Sequence, residues 1–271
     1  MTTQVRPLSL GEILDRTFQF YRKEFVLFIG IAAIPQLVAM MLRIGLLAMK
    51  QSNSAGVVLA ALVGLLVVLI VNLIATAFSQ AATSVAVSEM YLGRKTTIGQ
   101  AFGAIRGRIG SIAGILIGLG IFYVMGFVLL IIPGIYMMLI WALAIPAAVI
   151  EDLGFAECRD RSKLLTEGAK GRMSVIYLLV TTVTYGVLFG MGMLLGLAGV
   201  ATLGKGFAQT FTYQVANEIV TFVGTTLVGP IGLIAFTIAY YDQRVRKEGF
   251  DIQFMMQSSQ QAASASAAGN A

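Results

Sequence analysis

Histidine is absent from the 271 residues, and cysteine occurs once, as Cys158. The first absence removes the usual general base near neutral pH and the commonest transition-metal ligand. The second excludes an internal disulfide and a thiolate metal cluster. Charge is scarce as well: 12% of the residues are Asp, Glu, Lys or Arg, against roughly 25% in an ordinary soluble domain. No Walker loop, zinc signature or Gly-x-Ser-x-Gly elbow is present. No stretch interleaves aromatics with dense Lys and Arg, so nucleic acid is not an expected partner. Together these absences argue against an enzyme, and no cofactor or metal is expected.

What is there in quantity is apolar. Hydrophobic residues make up 58% of the chain and the mean hydropathy is +0.86, too high for a water-soluble core and shell. A bilayer must solvate most of the surface. The pattern predicts an all-α polytopic transmembrane bundle of six spans over residues 1–250. The spans are Phe25 to Leu47, Gly56 to Phe78 continuing to Met90, Ile109 to Ile132, Ile135 to Ile150, Met173 to Leu197, and Val215 to Tyr241. Pro35 and Pro230 are expected to kink their spans, and Pro133-Gly134 to form the turn between the third and fourth. No cleavable signal peptide is evident, because the first apolar run begins only at Phe25 and is long enough to stay as a span. Residues 251–271, rich in Ser, Ala and Gln, read as a disordered tail.

The basic residues are distributed unevenly. Arg6, Arg16, Arg22 and Lys23 precede the first span. Arg94, Lys95, Arg106 and Arg108 lie between the second and third. Arg159, Arg161, Lys163, Lys170 and Arg172 lie between the fourth and fifth, and Arg244, Arg246 and Lys247 follow the sixth. That places 16 of the 19 basic residues on one side and leaves Arg43, Lys50 and Lys205 on the other. With an even number of spans, the asymmetry puts both termini in the cytoplasm.

The segments on the basic side resemble one another. Ser9 with Glu12, and Thr97 with Gln100, have the spacing of a capping box. Asp152-Leu153-Gly154 opens a third segment with a cap residue but no partner at the third position. Each opener leads into a short helix and two spans, which suggests a pseudo-threefold repeat with three cytoplasmic-side interfacial helices. In the first, Leu10, Ile13, Leu14, Thr17, Phe18, Tyr21 and Phe25 share one face, and the helix is expected to lie at the inner headgroups. In the second, Ile98, Ala101, Phe102 and Ile105 share a face. The third has no clear apolar face. These helices read either as elbows between spans or as surfaces for anionic headgroups or a membrane or cytoplasmic protein partner. In the second case Arg16, Arg22, Lys23, Arg106, Arg108, Arg159 and Arg161 are the candidate contacts.

Within the spans, polar groups are few. Arg43 and Glu218 lie near the outer interface, either paired or snorkelling to headgroups. The Glu151-Asp152 pair reads as a cap for the following helix in preference to a metal site. Gly110, Gly114 and Gly118 recur every four residues, as do Gly186 with Gly190 and Gly192 with Gly196. Such stripes let helix backbones approach, within the bundle or across a homodimer seam.

Residues 6–25, 131–152 and 240–251 resemble the bacterial glycerophosphodiester phosphodiesterase membrane-domain family and the related YciC-like inner-membrane proteins. The most specific pieces are Leu10-Gly11-Glu12-Ile13-Leu14-Asp15 and Tyr241-Asp242 with Arg244, Arg246 and Glu248-Gly249. The resemblance implies a bacterial inner-membrane protein. It does not imply phosphodiesterase activity, because the catalytic barrel with its histidines and metal-binding acids has no counterpart here. The expected function is therefore non-enzymatic, scaffolding or modulating envelope lipids or partner proteins; a small-solute or lipid transporter subunit is the alternative.

Overall fold

The computed structural model describes residues 6–49, 55–204 and 206–249. Residues 51–54 between the first two spans, and the tail expected at 251–271, lie outside the described residues. Among those described there is no strand. The α-helices are α1 (Leu10–Lys23), α2 (Phe25–Met49), α3 (Ala55–Tyr91), α4 (Ile98–Ile105), α5 (Ile109–Leu129), α6 (Ile131–Ile140), α7 (Ala144–Ile150), α8 (Phe155–Thr166), α9 (Lys170–Leu203) and α10 (Phe211–Glu248). Six segments are long and apolar enough to cross a membrane: Phe25–Ala48, Val63–Tyr91, Ile109–Leu129, Ile131–Ile150, Lys170–Thr202 and Phe211–Glu248.

Two prolines decide where the middle of the chain breaks. The expected turn at Pro133-Gly134 is instead at Leu130, whose backbone is extended, and Pro133 sits inside the first turn of α6. A helix running through this point would need the Pro133 N–H to reach the Leu129 carbonyl, and proline has none. In a first turn no such donor is required. Pro146 does the same one helix later. The segment from Ile135 to Ile150 is not one helix but two, parted at Trp141–Leu143, with Pro146 in the first turn of α7. By contrast Pro35 and Pro230 lie within continuous helices.

α3, α9 and α10 contain 37, 34 and 38 residues. At 1.5 Å per residue they are roughly 50–57 Å long, well beyond the ~30 Å of hydrocarbon in a bilayer. Burial follows this excess length. The buried residues of α3 fall at Ala75 and beyond, those of α10 at Gly224 and beyond, and those of α7 nearly fill it. These parts, with α1, α4, α8 and the starts of α5 and α9, form one packed head. The remaining halves expose apolar side chains, among them Val63 to Ile74 of α3, Ile121 to Leu129 of α5 and Leu178 to Val200 of α9.

α1 joins this head lengthwise. The Leu8 N–H donates to Asp242 and the Tyr21 hydroxyl donates to the Leu227 carbonyl, so α1 runs antiparallel along the second half of α10. The amphipathic pattern of α1 is thus met, at least in part, by packing along α10. Its inward face differs from the one expected. Ile13 and Thr17 are buried and Phe20 and Tyr21 pack on the core, but Phe18 and Phe25 point out. α4 buries Ala101 and Ile105 and packs Ile98 and Phe102 on the core, as its spacing predicts.

The helix starts share one device. Ser9 and Glu12 form a complete capping box, as do Thr97 and Gln100. Hydrogen bonds from the Ser9 N–H and from Arg6 hold the Glu12 carboxyl down at about 2. The third start is not Asp152 but Gly154, and it does have a partner: the Gly154 N–H donates to Glu157 at 2.9 Å. Glycine has no side chain to return the bond, so this is half a box. Asp152 takes a left-handed backbone, φ 58°, and turns aside to pair with Arg108. The poorly defined face of α8 also has a structural use. Ser162 donates to the Ile140 carbonyl at 2.9 Å and accepts the Leu143 N–H at 3.1 Å, and Thr166 also reaches Ile140. Buried hydroxyls thus close the gap between α6 and α7.

Of the glycine stripes, only Gly118 makes a close approach, under the Phe155 ring. A Cβ at Gly110, Gly114, Gly186, Gly190, Gly192 or Gly196 would meet nothing within 4 Å. The close approaches lie elsewhere, above all at Gly126 and Gly134, where α5 and α6 nearly touch backbone to backbone. A Cβ on Gly126 would lie 3.0 Å from the Gly134 Cα, and one on Gly134 would lie 2.6 Å from the Phe127 ring. Gly126→Val is expected to cost about 1–3 kcal/mol by forcing α5 from α6, whereas Gly114→Ala should stabilise by about 0.5–1 kcal/mol through helix propensity alone. Thermal unfolding of the two variants in detergent checks both signs.

Candidate functional site

The densest polar chemistry lies inside the head, where α1, α7, α8, α9 and α10 converge. Asp242 is fully buried, 0% exposed. Burial of a carboxylate costs several kcal/mol unless it is paired and hydrogen-bonded. Here it accepts the Leu8 N–H at 2.7 Å and faces Arg246 Nε at 3.1 Å and Arg172 Nη1 at 3.3 Å. The two arginines then close on the other side of the same residue, both donating to the Leu8 carbonyl. One residue of the N-terminal segment is therefore clasped by an Asp–Arg–Arg triad drawn from α9 and α10.

A second knot lies beside the first. Arg161 of α8 binds Glu151 through both Nε and Nη2 at 2.7 Å, the bidentate geometry that planar guanidinium favours. Its Nη1 and Nη2 also reach Glu248. Hydrogen bonds with Glu248 and Glu151 push the Arg161 guanidinium still further above its already high range. Arg244 lies 3.2 Å from Glu248 and 3.6 Å from Glu151, and the Tyr240 hydroxyl donates to Glu151. Two carboxylates and two guanidiniums balance. Next to them the Tyr241 and Tyr91 rings stack at 4.6 Å, Ser88 and Tyr241 share a hydrogen bond at 2.6 Å, and the Arg16 guanidinium lies over Tyr91.

The seven basic candidates therefore divide. Arg22, Lys23 and Arg106 are exposed and have no ion pair among the described residues. The other four are engaged. Arg16 is turned onto Tyr91. Arg108 donates to the Val149 and Ala148 carbonyls at 3.2 and 2.9 Å, capping α7, and pairs with Asp152. Arg159 lies against Phe122, Trp141 and Phe155, 4.9 to 5.2 Å from each ring centre. Arg161 is the centre of the second knot. Glu151 and Asp152 likewise serve as ion-pair partners, not as caps of α8. At the far end of the molecule Arg43 is paired with Glu218 at 2.8 Å and reaches Asn72 at 3.2 Å, so the choice between pairing and snorkelling falls to pairing.

The sequence reading missed Asp242, Arg172 and Glu248 as site residues. A local signal existed: Asp242 with Arg246, and Arg244 with Glu248, are spaced i, i+4 in the last turns of α10, set among Tyr240, Tyr241 and Val245, all buried. Chemically the junction has little capacity to spare. Its carboxylates are bound to guanidiniums, and among the described residues no group of three His, Cys, Asp or Glu could hold a metal ion. A cavity of about 350 Å³ opens near it, with Gln80, Ser84, Tyr123, Trp141 and Tyr177 among its lining residues. No family model, curated protein or solved structure matches the chain.

Asp242→Asn keeps the shape of the clasp but leaves two guanidiniums, half-buried Arg172 and exposed Arg246, without their carboxylate. It should cost about 1–3 kcal/mol and loosen the N-terminal segment. Thermal unfolding, together with tryptic cleavage at Arg6, reads both effects.

Proposed function

We propose that this chain is a non-enzymatic, multi-pass protein of the bacterial inner membrane that organises envelope lipids or a partner protein through a head on the cytoplasmic side. The single observation that carries this reading is the division of the arginines. Most of the arginines are half-buried and engaged in holding the head together, whereas Arg22, Lys23 and Arg106 are exposed, the first two next to the exposed Phe18, Phe25 and Val26 in the chain. An apolar edge rimmed by cations suits the boundary between acyl chains and anionic headgroups. The 16-to-3 asymmetry supports a cytoplasmic placement of both termini and of the head. The resemblance to the glycerophosphodiester phosphodiesterase membrane-domain family agrees with this role, and so does the use of every carboxylate in the junction as a structural partner. The common starts of α1, α4 and α8 support a pseudo-threefold reading, with α4 and α8 as the connecting elements and α1 packed along α10.

A transporter subunit is the second reading, favoured by the cavity bearing Gln80, Ser84, Tyr123 and Tyr177. One comparison separates the two. Neutralising Arg22, Lys23 and Arg106 together should lower retention of phosphatidylglycerol by about 1 kcal/mol per charge, read by native mass spectrometry, with membrane insertion unchanged. Lipid retention equal to that of the parent chain, alongside solute flux in reconstituted liposomes, would favour the transporter.

A further inference from the structure

The α5–α6 pair differs from the α2–α3 and α9–α10 pairs at its turn. The chain between α2 and α3 reads Lys50-Gln51-Ser52-Asn53-Ser54, and that between α9 and α10 includes Lys205, Gln209 and Thr210. Both suit water. Between α5 and α6 the chain reads Val128-Leu129-Leu130-Ile131-Ile132, with no polar residue, and these side chains are 68–80% exposed. Such a turn suits acyl chains.

Fixed cations set a limit on how far it reaches. Lys170 Nζ lies 3.1 Å from the Tyr136 hydroxyl and 4.6 Å from its ring, and Arg159 lies on Phe122. Tyr136 is six residues from Leu130 and Phe122 eight, so the turn extends only about 9–12 Å past charged groups along either helix. The hydrocarbon core is about 30 Å thick, and a lysine or arginine side chain can reach only some 6 Å toward a headgroup. α6 cannot make up the difference, because it contains ten residues before the break at Trp141, where the hydroxyls of α8 are packed. At the turn the Leu130 N–H donates to Gly126, the Gly134 N–H donates to Leu130 and Pro133 has no N–H, so fewer donors stay open than the four of an ordinary helix start, which lowers the cost of an apolar medium.

We propose that α5–α6 is a re-entrant hairpin: it dips from the head side into the acyl chains of that leaflet, ends there, and does not cross. The chain then crosses four times, through α2, α3, α9 and α10, and drives one apolar wedge into the cytoplasmic leaflet. A wedge of this kind adds cross-section to one leaflet only. Its insertion is favoured where that leaflet is loosely packed or curved, which gives the head a means of reading lipid packing.

The inference rests on the membrane placement proposed above, and the test separates the two. Cys158 serves as an internal blank: it is buried, donates to the Phe155 carbonyl, and burial pushes its thiol up to about 11. Cysteines are placed one at a time at three exposed positions, Gln209, Glu167 and Ile132, in the full chain and in a Cys158→Ser background. Intact spheroplasts are treated with a membrane-impermeant maleimide. Gln209→Cys should label from outside and Glu167→Cys only after permeabilisation, which checks the placement by itself. Ile132→Cys should label under neither condition, and should label once detergent dissolves the bilayer. Labelling of Ile132→Cys from outside would establish a full crossing and overturn the proposal. Labelling after permeabilisation alone would also overturn it, making the turn a cytoplasmic prong for a protein partner.

Discussion

Leu8 is held through both its N–H and its carbonyl by three charged side chains, Asp242, Arg172 and Arg246. Asp242 is buried, and a buried carboxylate without partners would be protonated or expelled. Arg172 and Arg246 supply the opposite charge, and Leu8 supplies a donor to the acid and an acceptor to the arginines. Removing the acid leaves both guanidiniums with only the Leu8 carbonyl, Arg172 the more enclosed of the two. The rest of the head depends on this closure. It brings the first residues of the chain to the last helix, sets α1 against α10, and fixes the start of α9 beside both. The Glu151–Arg161–Glu248–Arg244 knot then ties α7 and α8 to the same helix end.

Stability is divided unevenly along the long axis. Within a bilayer, apolar side chains gain little from leaving lipid for one another, so the exposed part of α9 can stay loosely packed with Gly186, Gly190, Gly192 and Gly196 open. Under the proposed placement the head lies beyond the bilayer, where the hydrophobic effect operates in full, and in it Tyr91, Tyr240, Tyr241, Phe28 and Met173 are fully buried. The Ala-, Ser- and Thr-rich stretch of α3 from Ala75 to Ser88 belongs to this second region. Its small side chains admit α4, α5, α7 and α10 close to one helix, a function more suited to a packed head than to a lipid-facing span.

What could be read from the sequence was local. Apolar runs gave the long helices, and Ser9 with Glu12 and Thr97 with Gln100 gave two helix starts, because caps are decided within four residues. The breaks at Leu130 and Trp141–Leu143 were also local, but the rule needed was that a proline sits in the first turn of the next helix, not in the turn itself. The junction could not be read in this way. Leu8 and Asp242 are 234 positions apart. Each charged residue in the junction lies near the end of an apolar run, where position alone assigns it to headgroups. Arg16 shows the difficulty most plainly: its helical position groups it with exposed Arg22 and Lys23, and tertiary packing turns it onto Tyr91.

The charge asymmetry and the short middle pair bear on the repeat in different ways. A count of basic residues on either side fixes whether the number of crossings is even, and four satisfies it as well as six. It therefore supports the placement of the termini without supporting a crossing by α5 and α6. The three starts at Ser9, Thr97 and Gly154 are alike in having a side chain three residues on that accepts the first backbone N–H. The helices they lead to are not alike. The first and third pairs each contain at least one helix of 34 residues or more, while the middle pair contains 21 and 10. If the units share an origin, the middle one has been shortened at the breaks before Pro133 and Pro146, which lie in the first turns of the helices that follow. The likeness among the three units then lies in how each leaves the head, and the difference in how far each goes into the membrane.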